Sequence, residues 1–128
     1  MAALTLSVAR SRVLEVRGRK TGEPRRIPVN PLTLEGTRYL VAPRGHTEWV
    51  RNLRAQGEGR LLLGRRAERF TAVELPDDDK VAILRADLER WKGEVGAFFD
   101  GVGPDSADAE RRRIAPDHPI FRIERSAR

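Results

Sequence analysis

The chain has 128 residues, with 25 lysines and arginines against 19 aspartates and glutamates, for a formal net charge of +6. It contains no cysteine, which excludes disulfides and thiolate metal sites, and no apolar run approaches the roughly 20 residues of a membrane-spanning helix. This length suits one hydrophobic core, so residues 1–128 are expected to form a single domain.

Nearly all the positive charge is arginine, because Lys20, Lys80 and Lys92 are the only lysines. Guanidinium forks suit phosphates and carboxylates. Met1-Ala2-Ala3-Leu4 lacks the basic start and apolar core of a signal peptide, so the expected location is the cytoplasm, with weak peripheral membrane contact left open.

Strand patterns fill the first half of the chain. Arg12 to Val16, Arg25 to Leu34 and Arg38 to Ala42 read as strands, the last two joined by a turn at Glu35-Gly36-Thr37. Pro28 and Pro31 donate no ladder hydrogen bond and place the middle strand at an edge, a bulge or a ligand. Thr47 is expected to cap a short helix carrying Trp49, Val50 and Leu53 on one face and Arg51 and Arg54 on the other, with Gly57 ending it. Arg60 to Leu63 and Ala67 to Leu75 read as strands around Gly64-Arg65-Arg66; the second lacks clean alternation, which predicts a bulge or register change.

Asp77-Asp78-Asp79 is expected to cap and open an amphipathic helix bearing Val81, Leu84, Leu88 and Trp91. Gly93, Gly96 and Gly101 loosen the following stretch, where Val95, Phe98 and Phe99 are too apolar for water. Asp105 to Ala115 reads as a polar helix. Pro119 to Glu124 alternates like a closing strand, with Ile120 and Arg122 opposite Phe121 and Ile123. No internal repeat is evident. The fold class expected is mainly β with helices, a small mixed β-barrel whose ends the helices cover; the strand connections are too short for the crossovers of a parallel sheet.

Catalytic side chains are few. His46 reads as a loop histidine and His118 as a turn-shaping one; no serine has nucleophile-elbow glycines, and the acids fall at solvent-facing spacings. No metal site is expected. Binding chemistry is denser, because Gly18-Arg19-Lys20-Thr21-Gly22-Glu23-Pro24-Arg25 places two glycines, three cations and a hydroxyl between two strands. A reversal there gathers amides and charges around a phosphate or a carboxylate-rich tail. Arg44-Gly45 and the helix bearing Trp49 and Asn52 complete one wall, and an indole beside a helix start can support a flat ligand. A bound cofactor would supply the missing chemistry.

Three elements in order carry a family resemblance: Gly18-Arg19-Lys20-Thr21-Gly22-x-Pro24-Arg25-x-x-Pro28, Tyr39-Leu40-Val41-Ala42 leading to Arg44-Gly45, and Trp49-x-x-Asn52-Leu53-Arg54-Ala55. Together they resemble the deazaflavin-dependent nitroreductase family of split β-barrel oxidoreductases, over residues 12 to 75 and again at His118 to Arg122. The resemblance implies an FMN-binding-protein-like split barrel that uses coenzyme F420, whose tail carries a phosphate and several glutamates and whose ring delivers a hydride. It implies that Arg19, Lys20, Thr21 and Arg25 hold the phosphate. Arg26, Ile27, Pro28, Val29 and Asn30 would lie along the coenzyme, Val41, Ala42, Pro43 and Arg44 near its ring and linker, and Trp49 with Asn52 would close the site. No protein nucleophile is required.

The chain departs from the family in a short Ala42 to Trp49 loop, in Pro43 where a small hydroxyl is common, and in having Tyr39 as its sole tyrosine. Phe98 or Phe99 could line the pocket instead. The acceptor is therefore read as a quinone, an enone or a nitro compound, and the assembly as a homodimer. FMN in the same barrel is the alternative cofactor, and a non-catalytic carrier of coenzyme or apolar ligands is the alternative function. Nucleic acid is not expected, because the few aromatic residues are not interleaved with the basic ones.

Overall fold

The computed structural model describes residues 11–90 and 106–126. Trp91, Val95, Phe98, Phe99, the glycines among them and Asp105 lie outside those residues. Among the described residues no helix is long and apolar enough to cross a membrane.

Seven strands, β1 (Arg12–Arg17), β2 (Pro24–Val29), β3 (Leu32–Leu34), β4 (Thr37–Val41), β5 (Glu58–Leu63), β6 (Arg66–Glu74) and β7 (Ile120–Arg125), form one sheet in the order β2-β1-β5-β6-β7-β4-β3. Every pair is antiparallel. The two edge strands, β2 and β3, are consecutive in sequence and joined by Asn30-Pro31 alone, so the sheet must curl until its edges meet. This is the expected barrel, left open along one seam.

That seam corrects the single strand expected from Arg25 to Leu34. Pro31 has no N–H to donate, and the chain leaves one edge of the sheet at Val29 to join the other at Leu32. The β3–β4 hairpin turns on Glu35 (φ 52°) and Gly36 (φ 82°), with Leu34 opposite Thr37. Two positive φ values in a two-residue loop match the twist of the flanking strands.

β6 is a single strand without a bulge, contrary to expectation. It runs in unbroken register beside β5 from Arg66 to Thr71 and beside β7 from Phe70 to Glu74. Its irregular pattern has another cause: Phe70 and Ala72 face the core inside the curl, whereas Leu75 joins a second core.

The first core unites Leu14, Val16, Leu40, Leu61, Phe70 and Phe121 from five strands with Val50 and Leu53 of helix α1 (Glu48–Gln56). Gly57 ends α1 in the left-handed conformation, φ 72°, its N–H donating to Leu53 O at 2.7 Å. Thr47 occupies the N-cap position, but its side chain makes no capping bond.

The second core lies under helices α2 (Val81–Arg90) and α3 (Asp108–Ile114), where Ile83, Leu84, Leu88 and Ile114 pack on Leu32 and Ile120. The three aspartates do not open α2 as expected. Asp77–Asp79 forms a separate 3-10 turn, and the intervening Lys80 is buried, its Nζ 2.8 Å from Asp77 Oδ1 and donating to Ala115 O at 2.9 Å. The alternation of β7 is as expected, with Phe121 and Ile123 in the first core and Ile120 in the second.

Candidate functional site

The β1–β2 connection, residues 18–23, is folded on itself. Gly18 N donates to Glu23 O at 2.8 Å, Gly22 N to Gly18 O at 2.9 Å and Glu23 N to Thr21 Oγ1 at 3.2 Å. Gly22 has φ 77°, open to glycine at little cost. A side chain on Gly18 would put its Cβ 3.3 Å from Thr21 Oγ1 and 3.5 Å from Arg25 Nε, so this glycine keeps the concavity of the turn free. The amides of Lys20 and Thr21 have no backbone acceptor among the described residues.

Helix α1 positions this turn through Asn52, which is buried. Its Oδ1 accepts from Arg19 N at 3.0 Å and from Arg19 Nη1 at 2.9 Å. Three residues earlier on the helix, the Trp49 ring packs against Phe121 with centroids 6.2 Å apart. The spacing Trp49-x-x-Asn52 thus sets one side chain on the core and the next on the turn. Arg19 Nη1 also donates to Glu48 Oε1 at 2.8 Å, and that guanidinium holds the Glu48 carboxyl below its usual range. Lys20 and Arg25 make no hydrogen bond or ion pair with any described residue.

A cleft of about 250 Å³ opens between the turn and α1. On it the structure brings together Arg19, Lys20, Thr21, Arg25, Arg26, Ile27, Trp49 and Asn52 from the sequence expectations. Val16, Gly18 and Glu48 line it as well. Glu48 was not expected there, although an acid beside Trp49 at the start of the helix facing a basic loop is a signal that charge matching finds.

The other expected residues lie elsewhere. Pro28 is exposed on the outer side of β2, Val29 packs on the first core, and Asn30 leads into the seam; none of them lines the cleft. Val41 packs on the second core, while Ala42 is buried with its carbonyl 3.1 Å from His118 Nδ1. Pro43 and the exposed Arg44 lie in the loop whose Gly45 (φ 83°) would bring a Cβ within 3.1 Å of Asp117 O. His46 in that loop has Nε2 3.0 Å from Pro116 O, a structural tie.

Burial pushes the His118 imidazole down. Glu15, Glu68, Glu74 and Asp108 are each held low chiefly by a hydrogen-bonded arginine, Arg60, Arg38, Arg54 and Arg111 respectively. These carboxylates are counter-ions rather than proton donors. Among the described residues no three metal-ligating side chains gather. A cleft with a basic turn, an indole and one carboxylate already paired with Arg19 suits a ligand that brings its own reactivity.

The sequence profile of the F420H(2)-dependent quinone reductase family matches residues 2–96. The chain belongs to this family. It is therefore an oxidoreductase that works with the deazaflavin coenzyme F420, as the motif resemblance implies. No curated protein shows significant sequence similarity to it. An F420-H2 dependent reductase structure, FDR-A, superposes with a TM-score of 0.63 at 19% identity, covering 89% of this chain and 93% of the other. A chain described as a domain-swapped dimer gives 0.62 at 18% identity, with 89% and 79% covered. A FAD-binding protein from Mesorhizobium loti gives 0.54 at 18% identity, with 97% and 86% covered. At such identities these likenesses show the fold, the split β-barrel with its curled antiparallel sheet.

Proposed function

We propose that this family member transfers a hydride from reduced F420 to a quinone, and that the cleft between residues 18–25 and α1 holds the anionic linker of the coenzyme. The observation that carries this reading is the pair of unpartnered cations, Lys20 and Arg25, beside the concavity that Gly18 keeps open. The free amides of Lys20 and Thr21 point the same way, since consecutive unpaired amides favour an anion. The residues fit such a group: charge and amides lie on one wall, apolar surface from Val16, Ile27 and Trp49 on the other.

When bound, the reduced deazaflavin supplies the electron pair as hydride. Lys20 and Arg25 contribute charge-assisted hydrogen bonds, and Thr21 Oγ1 a further polar contact. Trp49 and Ile27 exclude water from the apolar side of the cleft and fix orientation. Asn52 holds the turn in place. The family description favours a quinone over the enone and nitro acceptors that the motifs leave open.

The test is titration with oxidised F420, followed by its fluorescence, on the native chain and on Lys20→Ala combined with Arg25→Ala. At about 1.5–3 kcal/mol per charged hydrogen bond, the double variant should bind at least about a hundredfold more weakly. Equal affinity in a folded double variant would remove the site assignment. Turnover with a quinone, an enone and a nitroarene then ranks the acceptors. The same reading takes the protein as a cytoplasmic homodimer with no nucleic-acid partner; the domain-swapped dimer among similar structures supports pairing, and sedimentation equilibrium tests it.

A further inference from the structure

Among the described residues that line the cleft, Glu48 is the one carboxylate, beside the cations Arg19, Lys20, Arg25 and Arg26. It holds Arg19 at 2.8 Å, and Asn52 Oδ1 holds the same nitrogen at 2.9 Å, so the Arg19 guanidinium is already engaged. The negative potential of Glu48 also reaches Lys20, which contributes to its lowered pKa. As the first residue of α1 it also complements the helix dipole, a contribution that Glu48→Gln removes at small cost to the fold given the exposure of the side chain.

We infer that Glu48 is a charge-selecting residue, an internal competitor for Arg19 that penalises a doubly charged phosphate more than a singly charged one. The inference rests on the cleft being the anion site proposed above. F420 presents a phosphodiester there, with one charge. FMN presents a phosphomonoester, which carries close to two charges above pH of about 6. Repulsion from a fixed carboxylate scales with the ligand charge, so the same potential costs the monoester twice the free energy. The glutamate tail of F420 extends from the linker, and salt screens charges beyond a Debye length of about 8 Å. Glu48 therefore narrows the advantage that the cations of the cleft give a doubly charged phosphate over a singly charged one. Charge thus contributes to selection between two flat tricyclic cofactors.

Parallel fluorescence titrations of Glu48→Gln and the native chain with oxidised F420 and with FMN, at pH 7.5 and about 0.15 M salt, test this. An exposed pair of this kind should yield up to about a fivefold gain for F420 in the variant. The gain for FMN should be the square of that factor, up to about 25-fold, because its phosphate charge is double. Thermal melts of both proteins establish that the fold is retained. Equal gains for both ligands, or weaker binding of either in a folded variant, would overturn the charge-selection role. Failure of the native chain to bind F420, or indifference of binding to loss of Lys20 and Arg25, would instead overturn the site itself, so the two failures are distinguishable.

Discussion

Glu35 shows how much a single residue carries in this fold. It is the one non-glycine residue with positive φ among the described residues, and it sits in the two-residue turn that sets the register of β3 against β4. Left-handed backbone costs a side-chain-bearing residue about 1–2 kcal/mol, and asparagine tolerates it better than glutamate. Glu35→Asn should therefore raise stability by about 0.5–1 kcal/mol, measured by urea unfolding. A lower midpoint would mean that Glu35 makes a contact outweighing its strain. The glycine of this turn announced itself in the sequence, but the φ of Glu35 did not. Thr47 shows a similar limit, because sequence finds the N-cap position correctly and cannot reveal that the hydroxyl leaves the helix amides unbonded.

At the scale of elements, the central joint is that between α1 and the β1–β2 turn. Asn52 reads in the sequence as a ligand contact, and in the fold its Oδ1 accepts from Arg19 N and Arg19 Nη1. Removing its amide leaves the Arg19 N–H without an acceptor at about 1–3 kcal/mol. Asn52→Ala should lower stability by that amount and weaken F420 binding as the turn loosens. Asn52→Asp keeps the acceptor and should recover most of both, measured by unfolding and titration together. Loss of stability without any loss of affinity would separate Asn52 from the site. This pairing spans 33 residues, so no local pattern could have disclosed it. The same reason explains the Asp77–Asp79 misreading: three acids before an apolar helix look like its first turn, and only the buried Lys80 between them shows that they form a turn of their own.

For the molecule as a whole, most strands were readable because each alternates or is bounded by glycine and proline. Their order was not. Nothing local distinguishes β6 as a strand shared between two neighbours, or divides residues 24–34 between opposite edges until Pro31 is weighed against the closed sheet. The two halves of the molecule meet where the His118 ring lies beneath the Ala42 carbonyl, 3.1 Å away, tying the end of β4 to the turn before β7. Burial lowers the folded pKa of His118 below its ordinary 6.5. The unfolded chain thus binds more protons in that window, and stability rises with pH through it. The His118 contribution should be intact above about pH 6.5 and decline as pH falls below that value toward the folded pKa. Urea midpoints from pH 7.5 to 5 should show the decline, and His118→Gln should flatten it. An equally steep decline in that variant would assign the effect to other groups.

β7 stands fifth of seven across the sheet, between β6 and β4, yet it is the last of the described strands in the chain. During synthesis at about 5–20 residues per second, the roughly 80 residues between Val41 and Ile120 take several seconds to emerge. β4 waits through all of that interval with an unpaired ladder edge, and β6 through the roughly 45 residues from Glu74 to Ile120, the form of surface on which nascent chains join one another. The strand that joins β6 to β4 is thus the last of the described strands to arrive.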